Sequence, residues 1–317
     1  MAFTAQDVKK LREMTNCGMM DCKKALTEAD GDFDKAIEWL REKGKAASVK
    51  KAGKVAAEGV SYAAVINGVG VVLEVNSQTD FVAKNEIFQG FVKDLAAVIA
   101  EQNPADVEAL KACTYPGTDR TVTDVTNDRI LSIGENLQIR RFVRYTEGVN
   151  IPYVHMNGKV GVMVNLAVEG IAPNAEALVE LGKDLAMQIC AMNPNYVSSD
   201  EVPEAVVEEE KAVQLAKALE EGAANTKIPA EKAKMIAENK VKGRLNNFFA
   251  EICLLNQAFV KENKVTVADH VKAVAKQLGG SIVVKAFTRF ETGEGIEKAE
   301  EDYAAEVASL ASMADKK

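Results

Sequence analysis

Tyr62-Ala63-Ala64-Val65-Ile66-Asn67-Gly68-Val69-Gly70-Val71-Val72 and Tyr153-Val154-His155-Met156-Asn157-Gly158-Lys159-Val160-Gly161-Val162-Met163 are two versions of one pattern. In both, Asn-Gly interrupts a run of β-forming residues, the strongest short-range sign of a β-hairpin, because both residues accept the positive φ of a tight turn. Outward from the hairpins the chain goes on matching itself. Lys93-Asp94-Leu95-Ala96 returns as Lys183-Asp184-Leu185-Ala186, and Phe142-Val143-Arg144-Tyr145-Thr146-Glu147-Gly148 as Phe287-Thr288-Arg289-Phe290-Glu291-Thr292-Gly293. Hairpin, helix and final strand make a small antiparallel sheet with a helix on it, so the core reads as an α+β unit present twice. The helix segments lie 90 residues apart and the last strands 145 apart. The second copy therefore carries 55 further residues between its helix and last strand, within roughly 199–262.

That insertion reads as an antiparallel helical hairpin. Pro203 suits a first helical turn, Val206, Val207, Ala212, Val213, Ala216 and Leu219 follow, and Gly222 is the expected stop. Pro229 opens a second helix through Met235, Ile236, Val241, Leu245 and Phe249. Two helices standing off a compact body cannot fully cover each other's apolar faces, so a self-association module, most simply a two-fold dimer, is expected.

Before the repeat lie three short helices. Thr4-Ala5-Gln6-Asp7 resembles a capping box, Val8, Leu11 and Met14 or Thr15 follow at helical spacing, and Gly18 is the expected end of the first helix. Met19 to Ala29 forms the second; Asp30-Gly31-Asp32 is a turn whose Asp32 caps the third, which is expected to stop at Gly44. The result is a small three-helix bundle. Met19 and Met20 on the Cys17-Gly18 corner are either core or a docking corner for a partner protein. Lys45 to Lys54, basic and without a large apolar anchor, is a linker, helical or mobile. At the other end Glu297 to Met313 presents Ala299, Tyr303, Ala304, Val307, Ala308 and Leu310 as one helical stripe.

Composition narrows the function. The 317 residues suggest about two domains. A net charge of −8 argues against direct nucleic-acid binding, which needs a basic face. No apolar run is long enough for a membrane span, and Met1 to Arg12 shows no hydrophobic signal segment, so a cytoplasmic location is expected. The five cysteines, Cys17, Cys22, Cys113, Cys190 and Cys253, are scattered and odd in number, and are read as buried free thiols. His155 and His270 are the only imidazoles. Nothing has zinc-ligand spacing, and no metal or cofactor is expected.

Within a duplicated scaffold, shared features serve folding and unshared ones are candidates for function. After its hairpin, copy one reads Asn76-Ser77-Gln78-Thr79-Asp80-Phe81-Val82-Ala83-Lys84-Asn85, where copy two has Ala167-Val168-Glu169-Gly170-Ile171-Ala172-Pro173-Asn174. Two readings stand. Thr79 or Asp80 caps a helix and Phe81 staples it to the sheet, or Asp80-Phe81 is an exposed wedge of one acid and one large hydrophobe, able to enter another protein and disturb a metal or phosphate site.

These residues carry a family resemblance. Leu11-Arg12-Glu13-Met14-Thr15, Gly18-Met19-Met20-Asp21-Cys22-Lys23-Lys24-Ala25-Leu26, Glu74 to Ala83, Ile133-Gly134-Glu135-Asn136 with Ile139-Arg140-Arg141, and Gly293-Glu294-Gly295-Ile296-Glu297-Lys298 span the chain in one order. The chain resembles the bacterial elongation factor Ts family of guanine-nucleotide exchange factors, which act on the GTPase elongation factor Tu. The resemblance implies a multidomain α+β fold: a ubiquitin-associated (UBA)-like domain at 1–44, a linker at 45–56, core subdomains at 57–148 and at 149–198 with 263–295, a helical dimerisation insertion at 199–262, and a C-terminal helical module at 296–317. It implies that Thr79, Asp80, Phe81 and Val82 enter beside the partner's magnesium, and that Arg12, Met19, Met20, Lys23, Ile133, Gly134 and His155 contact the partner. The residues around His155 depart from the family's spacing, so an ordinary surface histidine stays open there. No covalent chemistry, and so no enzyme, is implied. A ubiquitin-type adaptor accounts only for the N-terminal bundle, and a thiol enzyme only for Cys17 or Cys22.

Overall fold

The computed structural model describes residues 3–223 and 230–297. The expected C-terminal helix falls almost wholly outside them, as does the start of the insertion's second helix at Pro229. The fold is α+β, with many helices and small antiparallel sheets, and the chain divides into two compact units.

The first unit comprises Met1–Ser61, Glu74–Arg141 and the described part of Glu291–Lys317. It opens with α1 (Ala5–Thr15), α2 (Met19–Glu28) and α3 (Phe33–Lys51). The capping box forms: the Thr4 side chain accepts from the Asp7 N–H, and the Asp7 carboxylate accepts from the Thr4 N–H. Asp32 caps α3 through the N–H groups of Asp34 and Lys35. Leu11, Cys22, Ala25, Leu26, Ala36 and Leu40 make the bundle's core.

Two of the expected stops are not stops. Helix α1 ends on Asn16, which takes the left-handed conformation (φ 54°), a role its short polar side chain tolerates, while Gly18 precedes α2 with φ −61°. Helix α3 runs through Gly44 to Lys51. Gly44 continues the buried Ala36–Leu40 stripe, and a Cβ there would sit 3.1 Å from the Asn127 carbonyl oxygen. The glycine is thus the close-contact point with a neighbouring helix, and most of the expected linker is the last two turns of α3.

Strands β1 (Glu58–Ile66) and β2 (Val69–Ser77) form the first hairpin, turning at Asn67 (φ 50°) and Gly68 (φ 83°). The chain continues through a single turn, α4 (Asp80–Ala83), then α5 (Glu86–Gln102), α6 (Val107–Ala112), α7 (Val122–Ile133) and β3 (Gln138–Tyr145). The sheet order is β1-β2-β3. Helix α5 buries Phe88, Phe91, Val92, Leu95 and Ile99, and α7 is the helix that lies against Gly44.

The second unit comprises Tyr62–Leu73 and Phe142–Phe290. Strands β4 (Val149–His155) and β5 (Val160–Glu169) pair antiparallel from Val149↔Leu166 to His155↔Val160. The second hairpin has a four-residue loop rather than a two-residue turn, with Met156 (φ 46°) and Asn157 (φ 55°) both left-handed. Helix α8 (Glu176–Met192) follows, then α9 (Glu204–Ala223), α10 (Ala230–Ile252), the short pair β6 (Ala258–Phe259) and β7 (Glu262–Thr266), α11 (Val267–Leu278) and β8 (Ser281–Glu291). The sheet order β4-β5-β8 repeats the topology of β1-β2-β3.

The repeat is visible to the residue. Helices α5 and α8 both have 17 residues at the 90-residue offset, and α7 and α11 both have 12 residues at the 145-residue offset. Both members of the second pair end on a left-handed glycine, Gly134 (φ 87°) or Gly279 (φ 71°). The extra residues are chiefly α9 and α10, which pack on each other through Leu215, Ala218, Ala237, Val241 and Leu245. Glu221 pairs across them with Lys240 and Arg244 at 3.3 and 2.6 Å. Helix α9 begins just after Pro203 as expected and continues one residue past Gly222.

Candidate functional site

Strand β2 is buried along nearly its whole length, and its last residues deliver the chain to a corner. A buried ionic group holds that strand. The Glu74 carboxylate accepts from Arg140 (2.9 Å), Arg141 (2.6 Å), the Asn76 amide (3.0 Å) and the Gly293 N–H (2.8 Å). Burial pushes the Glu74 carboxyl upward, but these donors outweigh it and hold the group below the usual carboxylate range.

Beyond Ser77 the backbone is caught by Glu135. One of its oxygens accepts from the N–H groups of Gln78 and Thr79, both at 3.0 Å, and the other from the Thr79 hydroxyl at 2.6 Å. In return the Gln78 side chain accepts from the Asn136 N–H at 2.9 Å. Thr79 stands at the N-cap position of α4, yet its hydroxyl makes no cap bond, being turned to Glu135. Asp80 is the first residue of α4 and pairs with Lys84 at 2.7 Å. Helix α5 is capped instead by Asn85, which accepts from Ile87 and Phe88.

Phe81 is 78% exposed. The staple reading is thereby overturned: one turn of helix leaves room for a single buried anchor, and that place goes to Val82. The Lys84 ammonium lies 6.0 Å from the Phe81 ring centre. The corner therefore displays an acid and an aromatic ring side by side on a turn pinned at both flanks.

Ile133 and Gly134 lie directly before Glu135. Ile133 is half-buried and Gly134 exposed, and the Gly134 carbonyl accepts from the Lys51 ammonium at the end of α3. The structure thus joins two of the three groups of candidate residues, 79–82 and 133–134, through Glu135. The third group lies on the N-terminal bundle of the same unit. Arg12 and Lys23 are exposed, and Met19 and Met20 are not core residues, being 46% and 69% exposed. Phe3, Val8, Met19, Met20 and Lys23 line a shallow, largely apolar depression. His155 belongs to the second unit, where it ends β4, half-buried, with Nδ1 2.9 Å from the Tyr153 hydroxyl and its ring stacked on that of Tyr153.

Glu135, Gln78, Asn136 and Lys84 are site residues that motif reading passed over. The first three stand inside the stretches quoted for the family resemblance, but their mutual contact is tertiary and leaves no spacing to read.

Among the described residues no group of three or more His, Cys, Asp or Glu side chains could hold a metal ion, and no helix is long and apolar enough to cross a membrane. All five cysteines are free; Cys17, Cys22 and Cys253 are buried, whereas Cys113 and Cys190 are only half-buried, against the expectation for all five. Burial pushes the Cys17 and Cys22 thiols up, the reverse of what a nucleophile requires.

Comparison with known proteins places the chain in a family. The family model for Elongation factor TS matches residues 78–294. The curated Elongation factor Ts of Syntrophotalea carbinolica is 45% identical over 312 residues, 98% of this chain and 99% of the relative. That of Trichlorobacter lovleyi is 44% identical over 99% of this chain and 100% of the relative, and that of Clostridioides difficile 48% identical over 96% and 98%. The chain belongs to the elongation factor Ts family.

Proposed function

We propose that this protein is a guanine-nucleotide exchange factor for elongation factor Tu, acting in the cytoplasm during translation elongation. The observation that carries this reading is the 78% exposed Phe81, held beside Asp80 on a pinned turn. Covering such a side chain with another protein returns about 1.5–3 kcal/mol.

In this reading Thr79 to Val82 enters beside the partner's magnesium. Phe81 displaces the elements that position the metal ligands, and Asp80 adds negative charge where carboxylate and phosphate already crowd the ion. Ile133 and Gly134 form a second contact, His155 a third towards the phosphate-binding loop, and Arg12, Met19, Met20 and Lys23 a docking surface on a UBA-like bundle. The domain partition follows the same reading: bundle 1–44, linker 45–56, core subdomains 57–148 and 149–198 with 263–295, dimerisation hairpin 199–262, and C-terminal module 296–317.

The factor makes and breaks no covalent bond. It binds the empty partner better than the nucleotide-bound one, and linkage makes the effect mutual: nucleotide weakens the factor by the ratio in which the factor weakens nucleotide. GDP is released, the empty partner is held, and GTP then expels the factor. Release of a fluorescent GDP from the cognate elongation factor Tu, followed with and without this protein, tests the reading. Strong acceleration is expected, and an unchanged rate refutes it.

A further inference from the structure

Phe81 sits on a helix of four residues. One turn has no stability of its own, since nucleation fixes several dihedral angles for a single hydrogen bond. The direction of the ring is therefore set by what holds the turn's two ends. Downstream, Val82 is buried, and the Gln89 amide donates to the Ala83 carbonyl at 3.2 Å. Upstream, Glu135 makes a three-bond grip on Gln78 and Thr79, beside the Ser77 hydroxyl donating to the Thr79 carbonyl and the Asn136 N–H donating to the Gln78 side chain, both at 2.9 Å. Bonds to a carboxylate are the strong kind, and here two of them fix backbone N–H groups immediately before the wedge.

Glu135 is itself well placed to act as a fixed post. It follows the left-handed Gly134 that ends α7, and the Lys51 ammonium on the Gly134 carbonyl ties that corner to α3. Asn136, next in line, is buried and donates its side-chain amide to the Lys54 carbonyl at 2.8 Å. A displacement of the Ile133–Gly134 corner pulls on the backbone of Gln78 and Thr79 through the Glu135 side chain, and on the Gln78 side chain through the Asn136 N–H.

We propose that Glu135 is a positioning residue for exchange: it aims Phe81 by latching the 78–79 backbone, and it couples contact at Ile133–Gly134 to the wedge. The proposal rests on the exchange reading given above, with Phe81 as the group that acts and Glu135 acting through it.

The test uses full-length Glu135→Ala, Glu135→Gln, Phe81→Ala and the Phe81→Ala/Glu135→Ala double variant in fluorescent-GDP release from elongation factor Tu. Loss of the latch is expected to slow stimulated release about tenfold, the factor matching loss of one set of charge-assisted bonds. Glu135→Gln keeps the shape and can still accept from the two N–H groups, so its rate falls between wild type and Glu135→Ala. The double variant stays within about twofold of Phe81→Ala alone, because an unaimed ring and an absent ring are the same defect. Hydrogen exchange supplies the readout that a merely structural role leaves unmoved: the Gln78 and Thr79 amides open about tenfold faster while those of α5 and α7 keep their protection.

Wild-type release by Glu135→Ala with slow release by Phe81→Ala overturns the inference alone. So does a double variant whose loss is the product of the two single losses. Wild-type release by Phe81→Ala overturns the wedge role of Phe81 and this inference with it, whereas the exchange reading itself falls only if wild-type protein leaves GDP release unchanged. If Glu135→Ala does not fold, Glu135→Gln carries the same comparison, and wild-type release by that variant with unchanged Gln78 and Thr79 exchange overturns the inference.

Discussion

Replacing Phe81 by alanine separates two ways in which an exposed ring can serve a complex. The ring has 78% of its surface still to bury, and full burial of a phenylalanine is worth about 1.5–3 kcal/mol, so about 1.2–2.3 kcal/mol is available, a factor of roughly 7–50. A wedge spends that free energy on the nucleotide-free partner only. A docking anchor spends it equally on the empty and GDP-loaded partner, which tightens both complexes without speeding release. The assay is a closed cycle: affinity of wild type and Phe81→Ala for empty partner, affinity for GDP-loaded partner, and the GDP release rate at saturating factor. Loss confined to the empty partner, with a matching fall in release rate, is the expected outcome. Equal loss for both partner states refutes the wedge argument even if the variant binds poorly. Since Phe81 contributes little to the core, the folded chain should lose no more than about 0.5 kcal/mol of stability, as for other surface substitutions.

Three further outcomes follow from the packing. Removing the Glu74 carboxylate with Glu74→Ala should cost about 3 kcal/mol in denaturant unfolding at neutral pH. Arg140 and Arg141 keep some exposure to water, which limits the loss. Because the folded carboxyl lies below its unfolded value of about 4.3, its contribution is complete above that pH and disappears as pH falls through the depressed folded value. The gap between wild type and variant should therefore close in acid. At Gly182 a Cβ would lie 2.4 Å from Ile151 Cγ1, so Gly182→Ala should lose about 1–3 kcal/mol by overpacking, read as a lower midpoint in denaturant unfolding. Deleting 199–262 should give a monomer that still binds the partner, measured by light scattering and pull-down; a dimer unchanged in size removes the self-association reading of α9 and α10.

The repeat was legible because its signals are local. Asn-Gly turns, the Lys-Asp-Leu-Ala helix segments and the final strands each report on a few adjacent residues, and their offsets located the insertion that α9 and α10 fill. What was misread depends on distant partners. Gly44 looks like a helix stop by itself, and only the Asn127 backbone beside it explains why a small residue stands inside a continuing helix. Gly18 drew the stop that Asn16 provides, since either residue can leave the right-handed region. The Asp80-Phe81 corner was legible as a choice between staple and wedge, because an apolar residue in a first turn is consistent with both. Exposure rules out the staple, and exposure is a property of the whole fold. The hold of Glu135 on residues more than fifty positions earlier could not be read from either stretch alone.

Helix α3 runs unbroken from the bundle to Lys51, which meets the Gly134 carbonyl. With no slack between them, the methionine corner and the 133–134 corner would, under the proposed exchange function, act as the jaws of a caliper with a preset gap. A caliper gains from its second jaw without the loop-closing entropy a floppy tether would forfeit, but it accepts only an object of matching width. Lengthening α3 by a few residues would leave every contact residue in place and still produce an instrument that no longer fits.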